Sequence, residues 1–508
     1  MSYNRRSLPG LLALAAATAT AAASISITVP CKVPAGAATL DKMPIAASFE
    51  FYFWPSYATN ISLAGPCLDH LSQMYGQKVP IRIGGTTQDR ATYDPNQEAY
   101  ISYDDPDPLV PPMKITYGPK FFDLIAPYGA ETILGFNRGD NNRTNTFEAI
   151  LDAKKSPGLL KHLKGVEIGN EPDVYLYIWQ KPIATPPWDA NQEGADAADW
   201  AQDFINQWES PLPMLYTGSY AVPVPIQPKW PNITHLINVS FNQTVKDAVA
   251  TYNQHLYALS QGTDLGVEMD HVRTAADLAV FPEYVASSAS AGREFYLGET
   301  GFHGQEVPSD ASFGAALQVF DKSLLATSLN IKRLYYHQGT INQASFNWFS
   351  SSQVEHPFYG GYLSALALHD ADNIIAADNG TDRHARYVLF KNGRATKVVI
   401  INTEYYSGSG SRPTIDFSLE GIAGANQLRR RAGRGPPEVL RVTASSSDVT
   451  ASEVSATVAG PTIGGQSFAS DETCSIVGDR KTERLVIDEA TGSATVRVGA
   501  SEAVIVYL

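Results

Sequence analysis

From about residue 45 to residue 370 the chain repeats one pattern, a short apolar run followed by a longer amphipathic stretch. The apolar runs are Ala47–Phe53, Val79–Gly84, Thr132–Asn137, Gly165–Gly169, Met214–Gly218, Thr251–Tyr257, Glu294–Gly298 and Arg333–His337. Stretches such as Cys67–Tyr75 and Ala311–Ser328 have helical character. Eight strands alternating with helices predict an α/β architecture, a parallel (β/α)8 TIM barrel over residues 45–370.

After residue 370 the helical periodicity fades. Short β-rich runs take over at Tyr387–Phe390, Lys397–Asn402, Glu438–Val442, Arg484–Ile487, Ala494–Val498 and Ala503–Leu508, punctuated by Gly, Ser and Thr. This predicts an all-β sandwich over residues 371–508. Ile25–Val29 reads as one more strand, so residues 24–44 are expected to leave the barrel and join the sandwich. The run Gln427–Pro437 holds Arg429, Arg430, Arg431 and Arg434 and is expected to be an exposed loop, because like charges repel and rarely pack.

Charge argues against one class of partner, non-specific binding to nucleic acid. The formal net charge is −14, whereas nucleic-acid binding needs a basic field. The first 23 residues have the order of a secretory signal peptide: Arg5 and Arg6, an apolar run from Leu11, then small residues up to Ser24. No segment is long and apolar enough to predict a membrane span. Sequons at Asn60, Asn142, Asn232, Asn238, Asn242 and Asn379 are candidate glycosylation sites on an exported, extracellular protein. Cys31, Cys67 and Cys474 permit one internal disulfide and one leftover thiol, with the pairing open. No Cys/His cluster has metal-ligand spacing, so no metal is expected.

Two segments carry chemistry. In Gly165-Val-Glu-Ile-Gly-Asn-Glu-Pro-Asp173 an apolar strand stops at Pro172, which cannot continue a ladder. Glu171 is thereby placed at a strand's C-terminal end, where barrel active sites lie, with Asn170 beside it to bond a sugar hydroxyl. Glu294-Phe-Tyr-Leu-Gly-Glu-Thr-Gly301 repeats the logic and places Glu299 at a second strand end. Two carboxylates at one barrel mouth suit glycosidic bond cleavage, in which one protonates the leaving oxygen and the other faces the anomeric carbon.

Asn170-Glu171 on the fourth strand and Glu299 on the seventh resemble the acid/base and nucleophile of clan A retaining glycosidases. With Arg82-Ile-Gly-Gly-Thr-Thr-Gln-Asp89, Glu167–Asp173 and Gly298-Glu-Thr300, the chain is similar to glycoside hydrolase family 79 over most of its length, the C-terminal sandwich included. The resemblance implies cleavage next to a glucuronic acid without metal or organic cofactor. It implies sugar contacts from Glu50 and Asp89, and a Tyr257 that steadies the nucleophile. The family holds the uronate carboxylate in the loop after the nucleophile with a Tyr and backbone N–H groups. Here that loop reads Gly301-Phe-His-Gly304, so His303 or the Gly304 amide is expected to substitute. Tyr335, Tyr336 and His337 on the eighth strand are further candidates. The reading is a secreted retaining exo-β-glucuronidase for terminal glucuronic acid or its 4-O-methyl form, such as on arabinogalactan side chains. It would act as a monomer on a carbohydrate, with no nucleic-acid or membrane partner. The alternatives are an endo-acting heparanase- or hyaluronidase-like enzyme and a non-catalytic carbohydrate-binding protein on a hydrolase scaffold.

Overall fold

The computed structural model describes residues 24–104, 111–177, 189–223, 230–258, 264–303, 307–424 and 435–508. The leader-like segment, Gly304 and Arg429, Arg430, Arg431 and Arg434 lie outside those residues. Eight strands form a closed barrel: β1 (Ile45–Glu50), β2 (Ile81–Gly84), β3 (Thr132–Phe136), β4 (Leu163–Ile168), β5 (Leu215–Gly218), β6 (Val249–Leu256), β7 (Glu294–Thr300) and β8 (Arg333–Gln338). Every neighbouring pair is parallel, and β8 closes on β1. Helices α1 (Ala64–Tyr75), α2 (Arg143–Lys155), α3 (Ala190–Trp208), α4 (Phe281–Ser290) and α5 (Phe313–Ser328) are among those between the strands. The chain therefore folds as a (β/α)8 TIM barrel with a C-terminal β domain.

Local chemistry sets several boundaries. β1 was expected to reach Phe53, but it ends at Glu50. Residues Phe51–Phe53 turn into a short helix, and Pro55 sits in the first turn of the helix Trp54–Thr59, where its missing N–H costs nothing. Asn142 caps α2 by accepting from the Asn145 N–H, and Lys154 and Lys155 complement the dipole at its other end.

Inside the barrel, Ala46, Ile133, Tyr216, Tyr296 and Tyr335 form a separate apolar cluster. Two residues further along β1 and β8 come Ser48 and His337, and β4 and β6 add Glu167 and Asn253, all buried and polar. A strand turns alternate side chains to opposite faces, so a layer of charge sits above a layer of rings.

The C-terminal domain holds β9 (Asn373–Ala376), β10 (His384–Lys391), β11 (Arg394–Asn402), β12 (Thr414–Glu420), β13 (Glu438–Thr443), β14 (Ala494–Gly499) and β15 (Glu502–Tyr507). Its larger sheet runs β13-β15-β11-β10-β9, antiparallel throughout, with Ala38–Thr39 added beyond β9. The strand Ser24–Thr28 pairs in parallel with β12, which pairs with β14, giving the smaller sheet. Alternation divides β10. Val388 and Phe390 face the smaller sheet's Ile27, Phe417 and Val496, while Tyr387 and Leu389 join the barrel's own core. The expected strand Arg484–Ile487 shrinks to an exposed two-residue pairing, Glu483–Arg484, against the end of β13. A disulfide joins Cys67 of α1 to Cys474 across 407 residues and leaves Cys31 as an exposed thiol. Among the described residues no helix is long and apolar enough to cross a membrane. Asn60, Asn142, Asn238, Asn242 and Asn379 are exposed, whereas Asn232 is half-buried.

Candidate active site

The polar layer centres on Arg82, which projects from β2 into the barrel and is fully buried. Its Nε and Nη2 donate to Glu167, the shortest contact being 2.5 Å. Nη2 also donates to Asn170 Oδ1 at 2.7 Å, and Nη1 to Glu299 Oε2 at 2.6 Å and Ser48 Oγ at 3.0 Å. One guanidinium thus ties β1, β2, β4 and β7 together beneath the nucleophile candidate. A buried charge of this kind is tolerated only when paired and hydrogen-bonded, and Glu167 and Glu299 supply that pairing.

Glu171 and Glu299 sit above this base, their side chains 15% and 8% exposed. An oxygen of each and a ring nitrogen of His255 all lie within 4.8 Å of one another. Glu171 has φ +51°, a left-handed conformation that costs a non-glycine residue about 1–3 kcal/mol. Its N–H donates to Ser219 O at 2.8 Å, and Pro172 follows, so the turn is held from both sides. Glu299 is turned inward by a register shift against β6 that skips Gly298. A Cβ at Gly298 would stand 2.2 Å from Asn253 Oδ1, so the shift needs glycine. Gly85 is required in the same way: its φ is +97°, and a Cβ there would stand 2.6 Å from the Glu50 carboxylate.

The two carboxyls titrate in opposite directions. Burial raises the Glu171 pKa, the charge on Glu299 raises it further, and it reaches about 8 despite Arg82 and His337. Burial also works to raise Glu299. There His337, His255, Arg82 and the Tyr257 hydroxyl outweigh it and hold the group well below the usual carboxylate range. Such a split suits Glu171 to give a proton and Glu299 to stay ionised.

Several expected residues meet here. Tyr257 donates to Glu299 Oε1 at 2.7 Å. Glu50 takes Thr87 N–H at 2.9 Å and the Thr87 hydroxyl, and lies 3.2 Å from His337 Nε2. Asn170 keeps its Nδ2 donor without a partner among the described residues.

Three expectations need correction. Asp89 does not face a sugar. It is fully buried, and its oxygens accept the N–H groups of Arg138, Gly139 and Asn170 and the Tyr175 hydroxyl, so it braces the backbone under Glu171. Tyr336 points out of the barrel to Ser323 and Val319 of α5, because alternation along β8 turns Tyr335 and His337 inward instead. His303 is flanked by Asp310 at 2.7 Å and Glu268 at 3.4 Å and is buried there, so its ring is not presented to a substrate.

Four residues escaped assignment from sequence alone or stayed undifferentiated: Arg82, Glu167, His255 and His337. A charge within an apolar strand was the available signal for the first two. His337 lies 3.0 Å from Ser48 Oγ and 3.6 Å from Glu299 Oε2. Burial disfavours its charge, but Glu299 and Glu50 prevail and its pKa is raised. Glu171, His255 and Glu299 would also reach one cation. A dication there would stand beside the fixed charge of Arg82.

Residues 386–505 match the Glycosyl hydrolase family 79 C-terminal beta domain. A 4-O-α-L-rhamnosyl-β-D-glucuronidase from Fusarium oxysporum, solved with Rha-GlcA, superposes with a TM-score of 0.84 at 28% identity, over 95% of this chain and 100% of that one. The chain is similar to glycoside hydrolase family 79 in its C-terminal domain and to a glucuronidase over nearly its whole length. A β-glucuronidase from Aspergillus niger is 29% identical over 442 residues, 76% of each chain. One from Neurospora crassa is 28% identical over 429 residues, 74% of this chain and 75% of that one. A bifunctional glucanase-xylanase from a metagenome library, 10% identical with a TM-score of 0.60 over 95% and 98% of the two chains, shares the fold alone. The chain is thus a glycoside hydrolase.

Proposed function

We propose that the protein is a secreted retaining exo-β-glucuronidase acting on terminal β-linked glucuronic acid or its 4-O-substituted forms, such as those on arabinogalactan side chains. The observation that carries this is the carboxylate pair: oxygens within 4.8 Å of each other, one group protonated and one ionised. Retaining enzymes set their carboxyls about 5–5.5 Å apart, and inverting ones about 6.5–9.5 Å to admit a water. Glu299 attacks the anomeric carbon while Glu171 gives its proton to the departing glycosidic oxygen, leaving a glycosyl ester on Glu299. Glu171, now a carboxylate, takes a proton from water. The resulting hydroxide oxygen bonds to the anomeric carbon and the ester breaks.

The relatives named as β-glucuronidases support the sugar. The Fusarium enzyme, named for a 4-O-rhamnosyl glucuronide, supports tolerance at O4. Low exposure of both glutamates and a net charge of −14 favour a terminal sugar over a long polyanion. The Cys67–Cys474 disulfide, the leader-like first 23 residues and the exposed sequons support secretion. The test is hydrolysis of 4-nitrophenyl β-glucuronide by the native enzyme and by Glu299→Gln, which is expected to be inactive. Turnover by that variant would remove the nucleophile assignment. Short oligosaccharides from hyaluronan or heparan sulfate would replace exo with endo action.

A further inference from the structure

His255 stands at the end of β6 with its ring fully buried. Its Nδ1 lies 2.8 Å from Glu171 Oε1, and its backbone N–H donates to Tyr220 O at 3.0 Å, which fixes the residue from behind. Its Nε2 is buried and has no partner among the described residues. Burial lowers the ring's pKa to about 4, so the imidazole is neutral at ordinary pH and has a single N–H. If Nε2 carried that hydrogen, a buried donor would be left unsatisfied, which costs about 1–3 kcal/mol. Orphaned buried N–H groups are rarer than under-used acceptors. The hydrogen therefore belongs on Nδ1.

Resting on the acid/base role given to Glu171, we infer that His255 is a positioning residue: its Nδ1–H donates to Glu171 Oε1 and so keeps the acid proton on Oε2, the oxygen free to face the glycosidic bond. The same bond serves both half-reactions, since Oε1 accepts from His255 whether or not Oε2 is protonated. No proton passes through the imidazole. The other charged or titratable groups around Glu171 are Glu50 from β1, Arg82 from β2, Tyr257 after β6, Glu299 from β7, His337 from β8 and Asp173 in its own turn. Of the two histidines only His255 contacts Glu171, because His337 is engaged with Ser48 and Glu50.

The test compares kcat/KM, which reports the bond-breaking step, for phenyl and 4-nitrophenyl β-glucuronide. Nitrophenolate leaves unaided, whereas phenolate needs the proton. His255→Phe is expected to lose about 100-fold on the phenyl substrate, within the range that general acid catalysis supplies, and under about threefold on the nitrophenyl one. Its basic pH limb moves upward, since a donor that favours the Glu171 anion is gone. His255→Asn, with an amide N–H near the Nδ1 position, restores most of the loss. Equal losses on both substrates, or a limb that moves down, would overturn the inference. Nitrogen chemical shifts of His255 in the native enzyme give a readout independent of variant folding: a protonated Nδ1 is expected, and a protonated Nε2 overturns it. Glu171→Gln separates the two readings. If it cleaves the phenyl substrate at the native rate, the acid assignment itself fails. If it is impaired there while the His255 variants are blind to the leaving group, only the role of His255 fails.

Discussion

Replacing Glu299 by Gln removes a negative charge that stands within 4.8 Å of a Glu171 oxygen. At that distance and an effective dielectric of about 20, two unit charges repel by about 3 kcal/mol, roughly two pH units of pKa. Burial is the larger cause of the Glu171 shift and stays in place. Glu171 should therefore titrate near pH 8 in the native enzyme and about two units lower in Glu299→Gln, still above a free glutamate. The assay is a carbon NMR titration of both proteins carrying labelled glutamate carboxyls. The native pH profile of kcat/KM should fall through the same midpoint, because activity needs Glu171 protonated. A Glu171 midpoint that stays put or rises in Glu299→Gln would refute the reasoning. In the proposed double displacement the glycosyl ester would neutralise Glu299 in the same way as the amide does. Under that proposal, lowering the Glu171 pKa after the first step would let one group serve as acid and then as base.

Three further outcomes are expected. Tyr257→Phe removes a 2.7 Å donor to the ionised Glu299, a bond type worth about 1.5–3 kcal/mol, so kcat/KM should drop about ten- to hundredfold with the melting temperature little changed. Arg82→Met leaves Glu167 and Glu299 buried without their cation, and denaturant unfolding should show a loss of about 3–5 kcal/mol. His271, from the barrel side, bonds Asp321 of α5 at 2.8 Å and Asp378 of the C-terminal domain at 2.9 Å. Burial opposes its charge, but the two aspartates raise its pKa to about 10, above the ordinary value near 6.5. Its stabilisation is therefore complete below about pH 6.5 and is lost as pH rises through about 10. The stability gap between native protein and His271→Gln should shrink over that window in unfolding curves taken at several pH values.

The barrel and the β domain are legible in the sequence because their periods differ and because Pro and Gly mark where strands stop. Pro172 and Gly298 place Glu171 and Glu299 at strand ends without reference to any partner. What escapes is pairing across the barrel. Arg82 meets Glu167 and Glu299 across 85 and 217 residues of chain, and no local pattern announces such contacts. Direction is the other loss. Tyr336 lies on the right strand but one residue out of phase with the interior, while His337 is in phase. Asp89 lies in the short helix Thr86–Arg90, which turns its carboxylate down onto backbone N–H groups. His303 lies in the loop after Glu299, yet Asp310, seven residues on, takes its ring.

The most direct test of the central claim is trapping with 2-deoxy-2-fluoro-β-glucuronyl fluoride followed by peptide mass spectrometry. The fluorine slows both steps, and the activated leaving group lets the ester accumulate. A single glycosyl adduct on the peptide containing Glu299 is the expected result. An adduct on another residue, or hydrolysis of aryl β-glucuronides with inverted product and no adduct at all, would contradict it.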